Sequence, residues 1–365
     1  MENLTEERGR EIASHEGQIK RISDNEYQVH SQTKEFTVYS IRKIATGWTC
    51  SVQTRGVRCK HIFAVQFSQQ MKEEVRKNIT IKPVEINRCL FCHSEDVVET
   101  GIRRNKEYAI LRFKCHSCGR TFSVNIGFER MKHNPKGITT AMQLYFSGGS
   151  LRNTMRALQL MGVNVSHQTV YNWITKYAEL MQKYLDKITP HVSGVRRTDE
   201  LFIKVKGNLT YLFSMMEDET RFWISSMVAD HKGVSDVRPM YQDAKEVTGK
   251  RPSVLISDGA PNFHTAFNKE FYSNKKDSRY ISHIHFKGDR NNNKMERMNG
   301  ETRDREKVMR GIKTKNTPIL KGYQIYHNFV RPHEALNGKT PSEAVGIKVE
   351  GNDKWMTLIQ NESVQ

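Results

Sequence analysis

Three acidic residues stand where carboxylates from separate elements can be brought together. Asp199 lies in Arg197-Thr198-Asp199-Glu200-Leu201-Phe202-Ile203-Lys204-Val205, which reads as a strand. Asp258 ends the short apolar run Val254-Leu255-Ile256-Ser257 at an Asp-Gly turn, and the ends of such strands are where α/β sheets bind ligands. Glu296 opens a strongly basic stretch, Asn293-Lys294-Met295-Glu296-Arg297-Met298-Asn299-Gly300-Glu301-Thr302-Arg303, that reads as a helix. Carboxylates converging in this way suit two divalent ions, Mg²⁺ or Mn²⁺, held roughly 3.5–4 Å apart, one activating an attacking oxygen and the other stabilising a leaving oxygen. The neighbouring acids are expected elsewhere. Strand alternation sends Glu200 to the opposite sheet face, Glu301 and Glu306 balance nearby arginines, and His327 and His333 are assigned no catalytic part.

The cysteines point to a second kind of metal chemistry. Cys89-Leu90-Phe91-Cys92 and Cys115-His116-Ser117-Cys118 are two Cys-x-x-Cys knuckles 22 residues apart, and two tight turns of this kind present four thiolates to one tetrahedral Zn²⁺. Cys50, Cys59 and His61 are a weaker candidate set for a second Zn²⁺. They resemble a SWIM finger in which Trp48 stands where the first cysteine belongs, which leaves three ligands instead of four.

Helical periodicity over 139–146, 150–161 and 166–180, broken at Gly148-Gly149 and Gly162, with Ser150 and Ser166 in N-cap positions, reads as a helix-turn-helix. Its second helix would turn His167, Gln168, Tyr171 and Asn172 toward a DNA groove and Val170, Trp173 and Ile174 inward. Arg297, Arg303 and Arg310 are the candidate phosphate contacts beside Glu296, with Glu296, Asn299, Arg303 and Arg310 spaced to share one helix face.

The elements that must position these residues follow from composition and period. A chain of 365 residues exceeds the usual size of a single core. Five segments are expected: a small ββα-like zinc-finger unit over 1–80, a zinc ribbon over 86–130, a helical DNA-binding domain over 138–188, an α/β catalytic domain over 195–347, and a C-terminal tail over 348–365. The net charge of +18 is spread along the chain and selects a polyanionic partner, double-stranded DNA. The apolar runs are too short for a membrane span. The N-terminus lacks a secretory pattern, so the expected location is the reducing cytoplasm, in association with the nucleoid.

At the acidic residues the chain resembles the DDE transposases of prokaryotic insertion sequences, within the RNase H-like integrase superfamily. The resemblance runs from about Arg196 to Ile347. It rests on Thr198-Asp199-Glu200, on Ser257-Asp258-Gly259-Ala260, on Asn293-x-x-Glu296-Arg297-x-Asn299-Gly300, and on the tail Tyr326-His327-Asn328-Phe329-Val330-Arg331-Pro332-His333. Intervals of 59 residues from Asp199 to Asp258 and 38 from there to Glu296 leave no room for a large inserted domain. The resemblance implies an RNase H-like fold and divalent metal at Asp199, Asp258 and Glu296. It also implies cleavage at terminal inverted repeats, with strand transfer by a free 3′-hydroxyl into target DNA and no covalent enzyme intermediate. Further copies of the chain are expected to assemble on the DNA. The alternatives are a DNA-binding protein without enzymatic activity and an RNase H-type nuclease without strand transfer.

Overall fold

A computed structural model of the chain describes residues 5, 8–9, 12, 18–23, 26–31, 37–44, 47–52, 59–66, 78–85, 87–105, 108–272, 278–282, 292–309 and 312–364. They form two compact units, Met1–Lys77 and Asn78–Gln365.

In the first unit, strands β1 (Ile19–Ser23), β2 (Glu26–His30), β3 (Val38–Ile44) and β4 (Gly47–Cys50) pair antiparallel in sequence order, and residues 60–66 are helical. Alternation on β2 buries Tyr27 and Val29, which join Ile41, Ile62, Ala64 and Val65 in a small core. The described residues of this unit therefore form four strands, two more than the ββα arrangement expected.

The second unit begins with β5 (Ile79–Ile81). Its parallel partner is β14 (Ile347–Val349) near the other end of the chain, so 78–80 leave the segment expected to end at residue 80. Strands β6 (Val97–Arg104), β7 (Ala109–Cys115) and β8 (Thr121–Ser123) form the antiparallel ribbon. Three helices follow, α1 (Pro135–Phe146), α2 (Leu151–Leu160) and α3 (His167–Leu185). Ser150 Oγ accepts from Asn153 N at 3.2 Å and Ser166 Oγ from Thr169 N at 3.1 Å, as the N-cap reading requires.

Next comes a five-stranded mixed sheet. Strands β9 (Val195–Val205), β10 (Asn208–Glu217) and β11 (Trp223–Ala229) are an antiparallel meander, and β12 (Val254–Ser257) and β13 (Arg279–Ser282) run parallel to β9, in the order β11-β10-β9-β12-β13. The β9–β10 hairpin closes on Lys206 and Gly207 alone, both at positive φ (51° and 86°), the two-residue turn that matches strand twist. Helix α4 (Val234–Thr248) joins β11 to β12, and α5 (Pro261–Glu270) joins β12 to β13. Helix α6 (Asn293–Glu306) follows, and α7 (Pro318–Ile325) then widens into a π-helical turn, Tyr326–Val330. Helix α8 (Pro341–Ala344), β14 and α9 (Lys354–Val364) end the chain.

One apolar core runs from the three-helix segment through the sheet to α9. The segment expected as a tail is therefore folded: Leu358 and Ile359 are buried, and Trp355 Nε1 donates to Gln143 Oε1 on α1 at 2.9 Å. Close approach of α7 to α1 depends on Gly322, where an added Cβ would lie 2.4 Å from a Phe146 ring carbon. The buried start of the sheet's edge strand β11 is capped by a side chain. Asn328 accepts from Trp223 N at 2.8 Å and donates to Trp223 O at 2.9 Å, filling both backbone positions of an edge strand.

Candidate active site and metal centres

Asp199 sits on the central strand β9 and Asp258 just past the end of β12, its parallel neighbour, so the sheet register alone puts both at one end of the sheet. Their carboxylate oxygens lie within 4.8 Å of each other and of a carboxylate oxygen of Glu200. That third member corrects the expectation that Glu200 faces away. Pairing of β9 with β12 stops at Arg197 and Ile256, so at Asp199 and Glu200 the strand is paired with β10 alone. Glu296 lies in the first turn of α6, exposed to solvent and outside that cluster, yet its charge is felt at Asp199.

Asp199 is aimed by two donors, Asn299 Nδ2 at 2.9 Å on Oδ2 and the Glu200 backbone N–H at 3.0 Å on Oδ1. Burial, followed by the negative charge of Asp258, pushes its pKa up to about 7. Burial and Asp258 also raise Glu200, while Lys232 pulls it back. None of Asp199, Glu200, Asp258 and Glu296 is in an ion pair with Lys or Arg among the described residues. Crowded carboxylates that lack a cationic partner are the donor set a hard divalent cation satisfies.

Helix α6 is tied to β9 along its length. Asp218 joins Lys294 (2.9 Å) to the buried Arg197, and Asn299 reaches Asp199 from the middle of the helix. At the far end, Glu306 Oε1 accepts from Lys204 N at 3.2 Å. Glu301, expected to balance arginines, does so: Arg331 holds it through two nitrogens at 2.6 and 3.2 Å, and Arg297 approaches to 3.6 Å. His327 and His333 are buried braces. His327 Nε2 donates to Arg221 O at 3.0 Å and His333 Nε2 to His327 O at 3.1 Å.

On α3, His167, Gln168 and Asn172 are exposed and Tyr171 is half-buried, whereas Val170, Trp173 and Ile174 are buried. Arg297 and Arg303 are exposed on α6. Arg310 lies outside the described residues; α6 ends at Glu306, so the helical stepping that linked 296, 299 and 303 does not extend to 310.

The ribbon brings Cys89, Cys92, Cys115 and Cys118 together within 4.8 Å. Their cross-pairs, Cys89 with Cys118 and Cys92 with Cys115, are 3.5 Å apart, close to the ~3.8 Å edge of a tetrahedron with ~2.3 Å metal–sulfur bonds. In the first unit Cys50, Cys59 and His61 also meet, with His61 Nδ1 3.8 and 3.9 Å from the two sulfurs. The described residues add no fourth ligand there.

Sequence reasoning missed β13 and the part of Glu200. The strand signal in Arg279–Ser282 is four residues long, and nothing in a Thr-Asp-Glu triplet says which acid the open strand edge will admit.

Residues 194–333 match the sequence profile of the DDE domain. Within those residues lie Asp199, Glu200, Asp258 and Glu296, together with the whole five-stranded sheet β11-β10-β9-β12-β13. Over 146 residues, 39% of its length, the chain is 29% identical to the transposase for insertion sequence element IS257 in transposon Tn4003 of Staphylococcus aureus. It is 29% identical over the same number of residues to the transposase for insertion sequence-like element IS431mec of S. aureus strain Mu50. The match spans 63% of the length of each of these relatives. A solved structure of the HTLV-2 integrase catalytic core domain in complex with magnesium matches 43% of this chain and 98% of its own length, with 15% identity and a TM-score of 0.33. Among the described residues no helix is long and apolar enough to cross a membrane.

Proposed function

We propose that the chain is a DNA transposase that binds the ends of a mobile element and catalyses metal-dependent DNA cleavage and strand transfer. The observation that carries this reading is the meeting of Asp199, Asp258 and Glu200 at one end of the sheet, with Glu296 on the adjoining helix, inside a DDE domain. Asp199, Asp258 and Glu296 are the residues assigned to hold two Mg²⁺ or Mn²⁺ ions, with Glu200 within reach. Bound there, the metals supply a lowered pKa for the attacking oxygen and charge stabilisation at the leaving oxygen. The chain's own part is positional. Asn299 and the Glu200 N–H hold both oxygens of Asp199 in place, and the ties from α6 to β9 keep Glu296 beside the strand. Helix α3 reads DNA through His167, Gln168, Tyr171 and Asn172, and Arg297, Arg303 and Arg310 meet phosphates. The four-cysteine ribbon holds one structural Zn²⁺, and Cys50, Cys59 and His61 form a three-ligand site for a second. Copies of the chain assemble on element ends and target DNA, in the cytoplasm on the nucleoid.

The test is cleavage of a labelled duplex bearing the ends of the element that flanks the gene, with Mg²⁺ or Mn²⁺ present or withheld. Asp199→Asn, Asp258→Asn and Glu296→Gln keep shape but remove the charge a divalent ion needs, so each should abolish cleavage while DNA binding persists. Glu200→Gln assigns the third carboxylate. If it kills cleavage while Glu296→Gln leaves metal-dependent cutting intact, the third ligand is Glu200. Full activity in all four variants overturns the enzyme assignment and leaves a DNA-binding protein.

A further inference from the structure

A groove separates the helix-turn-helix from the C-terminal end of α6, and among the described residues the charged groups in its lining are all cationic, with Asp304 beside it paired to Lys307 at 2.7 Å. Arg152 and Arg156 line it from α2, one turn apart, and Lys307 and Lys313 from the opposite side, with His167 and Tyr171 of α3 between them. Lys307 and Lys313 also line an adjoining cleft that adds Lys204 and Lys206 from the β9–β10 hairpin. The acid in that second lining, Glu306, already accepts from the Lys204 backbone N–H. All six cations are exposed.

The trough is a fixed shape. Arg305 of α6 is 4% exposed, donates through Nη2 to Gly149 O at 3.1 Å, and lays its guanidinium 4.4 Å from the centre of the Tyr145 ring. It thereby fastens the catalytic helix to the turn between α1 and α2. Across the groove, Lys313 Nζ stands 5.7 Å from the centre of the Tyr171 ring. The two walls belong to one continuous core.

We propose that this trough grips the phosphate backbone of the same DNA duplex that α3 reads, so that recognition sets how far the carboxylate cluster stands from the recognised base pairs. The proposal rests on the DNA-transposase reading above and adds the residues that join recognition to catalysis. Lys307 follows Glu296 by 11 residues, about 16 Å at the helical rise of ~1.5 Å per residue. That is about five base-pair steps of ~3.4 Å. The gripped phosphates therefore lie within about half a duplex turn of the scissile bond.

The test measures binding of the full chain to a mixed-sequence DNA duplex as salt is varied. Each phosphate contact contributes about 0.9 to the slope of log affinity against log salt. Arg152→Ala/Arg156→Ala and Lys307→Ala/Lys313→Ala should each lower that slope by about 2, and the charge-keeping Arg152→Lys/Arg156→Lys should retain it. On a duplex bearing element ends, the Lys307→Ala/Lys313→Ala protein should keep the footprint of α3 and lose protection of the phosphates beside the cut. All these positions are exposed, and unchanged thermal unfolding would show that the variants fold. Undiminished slopes in both alanine pairs, with wild-type protein binding DNA normally, would overturn the trough. So would tighter wild-type binding to duplex RNA or single-stranded DNA than to duplex DNA. Wild-type protein that binds no DNA would instead overturn the reading on which the trough depends.

Discussion

The brace behind α6 makes the chain acid-labile in a way that can be worked out from one side chain. His327 is 4% exposed and faces His333 (ring centroids 4.6 Å apart), Trp223 (5.9 Å), the Arg221 carbonyl and the charged pair Glu301–Arg331. Burial, then the proximity of His333, lowers its pKa from 6.5 to about 3; the Arg221 hydrogen bond and Glu301 oppose this without reversing it. Unfolded, the ring takes a proton below about pH 6.5, and folded it does so only near pH 3. Between these values the unfolded chain binds more protons, so stability is fully present above the unfolded pKa and falls as pH falls through the window. At about pH 5 the loss from this residue is ~2 kcal/mol, rising toward ~5 kcal/mol once the folded pKa is reached. Denaturant unfolding at about pH 7.5 and about pH 5, followed by tryptophan fluorescence, measures it. His333, also lowered by burial, contributes in the same direction, so the informative quantity is the difference between wild type and His327→Gln. The variant should lose about 2 kcal/mol less on acidification, although it is less stable at both pH values. An equal pH dependence in the two proteins would refute the assignment. Because the same segment carries Arg331, which grips Glu301 five residues beyond Glu296, acid should loosen α6 as it loosens the tail.

Two further outcomes are expected. Zinc should co-purify with the ribbon at about one ion per chain, and Cys92→Ser or strong chelation should unfold the ribbon while residues 194–333 keep their cooperative transition, since among the described residues the ribbon's own buried cluster is Cys89, Cys115 and Phe122; metal-free protein with an intact ribbon by hydrogen exchange would contradict this. Gly322→Ala should destabilise the second unit by about 1–3 kcal/mol in chemical denaturation, because the new methyl group overlaps the Phe146 ring and meets Ala178 Cβ at 3.1 Å, and an unchanged midpoint would show that the helices separate more easily than their packing suggests.

Much of this molecule is legible in sequence because it is encoded over a few adjacent residues. Two Cys-x-x-Cys turns carry the ribbon, serines at 150 and 166 cap the two helices they precede, and inward Val170, Trp173 and Ile174 against outward Gln168 and Asn172 are a matter of helical period. Asp199 and Asp258 were likewise readable, since each lies on or just after an apolar strand segment and parallel pairing brings them to one end of the sheet. What the tertiary structure alone decided depends on long-range closure and on where pairing stops. Glu200 joins the carboxylate cluster, against the strand alternation that local pattern implies, where β9 is paired with β10 alone. Pairing of β5 with β14 joins residues 79–81 to 347–349, a contact no local signal announces. The Arg331–Glu301 pair, Arg305 on the α1–α2 turn, and the basic trough from α2 to the β9–β10 hairpin likewise exist only because the three-helix segment and the sheet share one core. Sequence period specifies which face of an element is apolar; which elements then cover that face, and which polar side chains meet at the seams, is set by packing between segments far apart in the chain.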